Sequence, residues 1–223
     1  MKTFLCNERK RGLTLVELCI VIAVITIFLI MVMSGAASDK AKARALRISC
    51  INNLKQLGAA TRIWEGDHGD KYPWNIPGTN GGTMDFISGT NSWRHFQVMS
   101  NELGLPKVLV CPADELHLWA ATNFHFFSNS NLSYFVGLDV SDTNPQGILF
   151  GDRNITNGTP IKNGILTLTT NRPAGWTDEM HHKVGNIVLS DGSLQQVSQN
   201  GLRQAFANSN NGTNRLQMPV LTP

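Results

Sequence analysis

Apolar and polar positions divide this chain into three stretches. From Leu13 to Met33 it reads LTLVELCIVIAVITIFLIMVM, 21 residues without glycine or proline and with one ionisable group, Glu17. At about 1.5 Å per helical residue the run reaches roughly 31 Å, the hydrocarbon thickness of a bilayer. Beyond it the pattern becomes amphipathic. Ala43, Leu46, Cys50, Leu54, Leu57, Thr61 and Trp64 recur at spacings of three and four, and Lys42, Arg44, Arg47, Lys55 and Arg62 take much of the remaining circumference. No proline precedes Pro73, so one long helix is predicted, ending near Gly66–Gly69.

From residue 70 onward the chain is rich in Gly, Asn, Ser and Thr, with short β-prone runs between turn signals. Strands are predicted at Val108–Val110, Ser133–Gly137, Ile148–Phe150, Ile165–Thr169, Asn186–Ser190 and Ser193–Val197. Asp191-Gly192 separates the last two and predicts a hairpin with a type I′ turn. Strands that follow one another without long helices between them make an antiparallel sheet, so the class is α+β. Residues 75–92 read as an irregular loop, and the tail from Asn208 reads as mobile. The organisation is a basic leader over 1–12, a membrane-spanning half-helix over 13–33, an amphipathic half-helix over 34–69, and a β-rich head over 70–223.

Composition excludes several classes. With 42% hydrophobic residues the chain is too apolar to be disordered, and four cysteines are too few for a disulfide-built miniature fold. The net charge of +3 sits in the leader, where Lys2, Arg9, Lys10 and Arg11 oppose Glu8; the remaining 15 basic and 15 acidic residues cancel. That distribution leaves no basic face for nucleic acid, and none is expected as a partner. The five tryptophans are scattered and read as core or loop anchors.

The apolar run is longer than the 7–15 residues of a secretory signal core, so it is read as a retained helix. Basic residues flank it on both sides, which leaves orientation undecided by charge. Glu17 is the informative position, because a carboxylate in an apolar helix is costly unless paired, neutral or at the interface. Arg9-Lys10-Arg11-Gly12 followed by Leu13-Thr14-Leu15-Val16-Glu17 resembles the processing signal of type IV pilins and type II secretion pseudopilins. The resemblance implies a long helix packed on a small antiparallel head. It also implies cleavage by a prepilin peptidase between Gly12 and Leu13, N-methylation of Leu13, and Glu17 pairing with the α-amine of a neighbouring subunit. The implied partners are the peptidase, other subunits of a homo- or hetero-oligomeric filament, an inner-membrane assembly platform and the bilayer. The implied topology is a leader in the cytoplasm and a head in the periplasm. Leu13 stands where phenylalanine is commonest.

Further matches resemble a pseudopilin-like family with an H-x9-DG motif: His181 with Asp191-Gly192, CINNLKQLG from Cys50, CPAD from Cys111, and GDRN from Gly151. The function implied is a structural subunit, not an enzyme, with a type II secretion pseudopilus preferred over a type IV pilus. The competing class is an envelope enzyme or metal-binding module that uses the helix as an anchor. His181, His182, Asp152 and Asp191 suit a metal or catalytic role, but no HExxH, GxSxG or close ligand spacing accompanies them. Turn capping by Asp191 and a structural histidine are therefore expected, and no cofactor. Calcium is weighed through Asp139, Asp142 and Asp152, whose surface solubility explains them equally well, and no DxDxDG loop is present. Cys6 would leave with the leader and Cys19 lies in the apolar run. Cys50 and Cys111 are read as buried thiols, with a disulfide as the alternative.

Overall fold

The computed structural model describes residue 12 and residues 14–116, 119–169, 172 and 174–221, and of residues 33–38 the helical backbone alone. The leader up to Arg11, with Cys6, and Leu13 lie outside the described residues. Helix α1 runs over Leu15–Asp67 and ends where the sequence predicts. The chain divides into two compact units, Met1–Arg44 and Ala45–Pro223. In the first, Leu15–Val32 is wholly exposed and is long and apolar enough to cross a membrane.

The second unit is an α+β head. After α1 come short 3-10 turns and two brief helices, α2 (Trp93–Gln97) and α3 (Ser100–Leu103). The strands are β1 (Tyr134–Gly137), β2 (Ile148–Asp152), β3 (Ile155–Thr156), β4 (Ile165–Thr169), β5 (Gly175–Trp176), β6 (Val184–Leu189) and β7 (Leu194–Ser198). Helix α4 (Gln199–Asn208) and strand β8 (Thr213–Gln217) complete the chain. Six strands form an antiparallel sheet in the order β4-β8-β1-β2-β6-β7, and β3 pairs with β5 in a separate ribbon.

Both faces of the sheet are covered, which is why its central strands read as unbroken apolar runs. Tyr134, Val136, Phe150 and Val188 join Cys50, Leu54, Leu57 and Trp64 of α1 in one core. Phe135, Ile148, Ile187 and Leu189 join Leu202 and Ala205 of α4 in the other. The alternation along β1 follows the two-residue period of a strand. In β2 a register shift between Ile148 and Phe150 interrupts it, and Leu149 joins Phe150 on the α1 side. Gly58 lets α1 approach the sheet, since a Cβ there would stand 3.2 Å from a methyl of Val188.

Three expectations are corrected. Val108–Val110 is not a strand, because Pro106 starts a 3-10 turn over Pro106–Leu109. Its apolar residues are buried by packing, and the carbonyls of Leu109 and Val110 accept from Ser133 N and Asn53 Nδ2. The tail from Asn208 is not mobile: it closes α4, turns at Asn210 (φ 52°) and supplies β8, which lies between β4 and β1. The β6–β7 hairpin forms, but its turn is not type I′, because of Asp191 and Gly192 only the glycine has a positive φ (81°). Gly192 N bonds Leu189 O and Leu189 N bonds Ser193 O, a three-residue loop ending in a left-handed glycine.

His95 ties the irregular 75–97 region to β8. It is fully buried; Nε2 lies 2.6 Å from Gln217 Oε1 and Nδ1 2.6 Å from Thr83 Oγ1. An amide oxygen only accepts, so Nε2 carries the proton and Nδ1 accepts from the threonine. Burial pushes this imidazole down to about 4. The unfolded chain takes up a proton near pH 6.5 that the folded chain refuses until about 4, so the His95 contribution is complete above 6.5 and is lost as pH falls through 4. His95→Gln, which cannot charge, is expected to lose less stability than wild type between pH 7 and pH 4, read by urea unfolding of the full chain in detergent.

Candidate functional site

At the N-terminal end, Thr14 precedes the first residue of α1 and Glu17 lies in its first turn. The Glu17 carboxylate accepts from Thr14 N (2.8 Å) and Thr14 Oγ1 (2.9 Å), while Glu17 N donates to Thr14 Oγ1 at 3.3 Å. This is a reciprocal cap that satisfies helix-terminal N–H groups and holds a negative charge where the helix dipole favours it. The spacing Thr-x-x-Glu is itself a capping signal legible in the sequence.

In the head, four separate sequence motifs converge. Cys50 comes from α1, and Cys111 follows the Pro106–Leu109 turn; the two are joined in a disulfide closing a separation of 61 residues, so the expected pair of free thiols is corrected. Loop closure of that length stabilises by about 4 kcal/mol. Asp152 ends β2, and His181 sits in the turn before β6, where Met180, His182 and Lys183 all have positive φ. His181 Nε2 lies 3.4 Å from Cys111 Sγ and 3.6 Å from Asp152 Oδ2.

The electrostatics follow from burial. Asp152 is fully buried, and desolvation pushes its carboxyl up to about 7 although Asn186 donates to Oδ2 from both its backbone N (2.7 Å) and Nδ2 (2.9 Å). Burial, with Arg47 nearby, pushes His181 down to about 4, so its imidazole is neutral at pH 7. Beside them Asp114 forms a two-pronged pair with Arg153, Nε to Oδ2 at 2.7 Å and Nη2 to Oδ1 at 2.6 Å. Arg153 also reaches Glu179 at 2.9 Å. Asn154 Nδ2 donates to the carbonyls of Thr177, Glu179 and Val184, holding the turn that carries His181.

Two arginines of α1 clamp the hairpin that contains the His and Asp-Gly motifs. Arg47 Nη2 donates to His181 O (3.0 Å) and Arg62 Nη2 to Ser190 O (3.1 Å). Tyr72 and Ser190 share a hydroxyl contact of 2.9 Å, and Ser190 Oγ donates to Ser141 O. The sequence showed Arg47 and Arg62 only as a polar face; their spacing of 15 residues, close to four helical turns, puts them on one side of α1.

The structure therefore brings Asp152 and His181 together but leaves Asp191 at the other end of β6, where its Oδ1 accepts from Ser193 N at 2.8 Å. Asp191 does not join a metal set with them. His182 is exposed beside Asp178. The three aspartates weighed for calcium are apart in role: Asp139 binds Arg215, Asp142 faces the buried Glu65, and Asp152 accepts from Asn186 of the neighbouring β6. Burial and Asp142 push Glu65 up to about 7. Among the described residues, the one group of three metal-capable side chains within reach of each other is Cys50, Cys111 and His181. A cleft of about 470 Å³ lies elsewhere, against Arg203 and Phe206 of α4.

Compared with protein-family models, with curated proteins and with solved structures, the chain matches none of them.

The Asp114–Arg153 pair is desolvated (side chains 0% and 11% exposed), whereas Glu179 is 52% exposed. Asp114→Ala is expected to cost about 3–5 kcal/mol by stranding the guanidinium. Glu179→Ala should cost about 0–1 kcal/mol. Urea unfolding of both variants measures the contrast.

Proposed function

We propose that this chain is a non-catalytic filament subunit of the pseudopilin or pilin type, made as a precursor and cut between Gly12 and Leu13. The observation that carries the reading is the start of α1. After a basic, glycine-ended leader, Thr14 caps a helix whose first 18 residues, Leu15–Val32, are wholly exposed and, with Glu17 the one ionisable exception, apolar. Such a surface is stable in lipid, or packed against copies of itself, and in neither case can it stand free in water.

In this reading the helix stores the subunit in the inner membrane and later packs in a filament core, with the leader cytoplasmic and the head periplasmic. The α+β head, with its antiparallel sheet, supports the same assignment. Cleavage creates an α-amine on Leu13, and Glu17 of the next subunit compensates it. The convergence of the His181 and Asp191-Gly192 motif on α1 gives that motif a structural role, which suits a scaffold. Of the two filament classes, the H-x9-DG resemblance favours a type II secretion pseudopilus.

Mass spectrometry of the chain purified from cells with an active prepilin peptidase is expected to show a mature N-terminus at Leu13, carrying one added methyl; a chain that keeps its leader there overturns the proposal. Leaving a buried charge uncompensated in an apolar helix costs about 2.5–3.5 kcal/mol. Glu17→Ala is accordingly expected to lower filament incorporation roughly a hundredfold, scored by shearing and immunoblotting, with membrane levels of the subunit unchanged.

A further inference from the structure

The cluster at Cys50, Cys111, His181 and Asp152 holds more donor chemistry than a disulfide requires. All four residues are buried, with exposures of 0%, 0%, 3% and 0%. The two sulfurs and His181 Nε2 lie within 4.8 Å of one another. Nε2 is 3.4 Å from Cys111 Sγ, and its 3.6 Å to Asp152 Oδ2 is too long for a hydrogen bond. Asp152 Oδ1 is buried with no hydrogen-bond donor. Both Asn186 bonds go to Oδ2, so Oδ1 is the carboxylate oxygen left over for a cation.

The separations have a geometric meaning. A tetrahedral zinc site with Zn–S near 2.3 Å and Zn–N and Zn–O near 2.0–2.1 Å has S···N edges of about 3.6 Å and N···O edges of about 3.4 Å. The observed 3.4 and 3.6 Å fit those edges within about 0.2 Å. Two features differ: the two sulfurs are bonded, where in a metal site they would stand about 3.8 Å apart, and Asp152 lies outside the group within 4.8 Å reach, so its carboxylate has to move toward the sulfurs to complete the tetrahedron.

We propose that the dithiol form of this chain binds one zinc-class divalent ion through the thiolates of Cys50 and Cys111, Nε2 of His181 and the carboxylate of Asp152, and that the ion and the disulfide are mutually exclusive closures of the same cluster. The newly made chain is already in the dithiol form. From the oxidised chain, a phosphine reaches it by attacking the S–S bond, which breaks. Water supplies the oxygen of the phosphine oxide and the two protons of the thiols. The metal ion then displaces those protons to solvent as it gains two thiolate bonds. Softness of the donors selects zinc, cobalt or cadmium over calcium and magnesium.

The test uses the full chain in detergent, with Cys6→Ser and Cys19→Ser so that the two cluster sulfurs are the only thiols. After phosphine reduction and removal of the phosphine without air, cobalt(II) is titrated in. One equivalent is expected to give the intense visible bands of tetrahedral cobalt with a thiolate charge-transfer band, bleached by zinc. The oxidised chain should give neither. His181→Ala and Asp152→Asn should each weaken cobalt binding roughly tenfold or more, whereas Asp191→Asn should leave it unchanged. Because His181→Ala could disturb the turn, His181→Cys is the control, expected to restore tetrahedral binding with a stronger charge-transfer band. A reduced chain that shows only octahedral cobalt overturns the proposal. So does binding indifferent to His181 and Asp152, including capture by the two cysteines of an unfolded chain.

Discussion

The second half of α1 lies along β6, and the head is organised by that contact. Arg47 and Arg62 donate to carbonyls at either end of the strand, Gly58 brings the backbones close enough for Val188 to fill the gap, and Cys50 carries the covalent tie to Cys111. Each link is of a different physical kind: charge-assisted hydrogen bonds, close packing and a covalent constraint on the unfolded chain. Because β6 sits between β2 and β7, fixing it to the helix also fixes the register of its neighbours. The ion pair of Asp114 with Arg153 and the bonds from Asn154 then hold the two loops that supply Cys111 and His181.

This arrangement explains why chemically suggestive residues need not signal a reaction. Asp152 and His181 have strongly displaced proton affinities, a property shared by many active sites. Here the leading cause is desolvation by burial in the head, with His181 beside Cys111. The residues that line the cleft against α4 are different ones. Displaced proton affinity marks a desolvated cluster first; access for a substrate is a separate requirement.

Much of the architecture was legible because it rests on periodicity. The apolar run, the three-four stripe from Ala43 to Trp64 and the strand Ile165–Thr169 all follow from spacing, and they reappear in α1 and β4. What escaped has specific causes. Val108, Leu109 and Val110 look like a strand by residue type, yet Pro106 sets a 3-10 turn. Strand β8 was hidden because Thr213, Asn214 and Arg215 are polar and only Leu216 and Gln217 are buried; pairing on both sides, not propensity, makes it a strand. Helix α4 had its signals, Ser198 accepting from Gly201 N and Leu202 with Ala205 on one face, in the stretch between the last predicted strand and the tail from Asn208, where no element was predicted. In the site, pairing of Asp152 with His181 in place of Asp191 is a tertiary outcome, since sequence spacing across a strand does not say which end meets another loop.

The position of β8 bears on when the head can become complete. This strand, at residues 213–217, is inserted between β4 and β1, and its Gln217 receives the contact from His95. Without it nothing joins β4 to β1-β2-β6-β7 within the sheet. Closure of the sheet therefore waits until residues 213–217 are available to pair on both sides. A chain stalled or clipped before that strand presents two unzipped edges to every other nascent copy in the compartment.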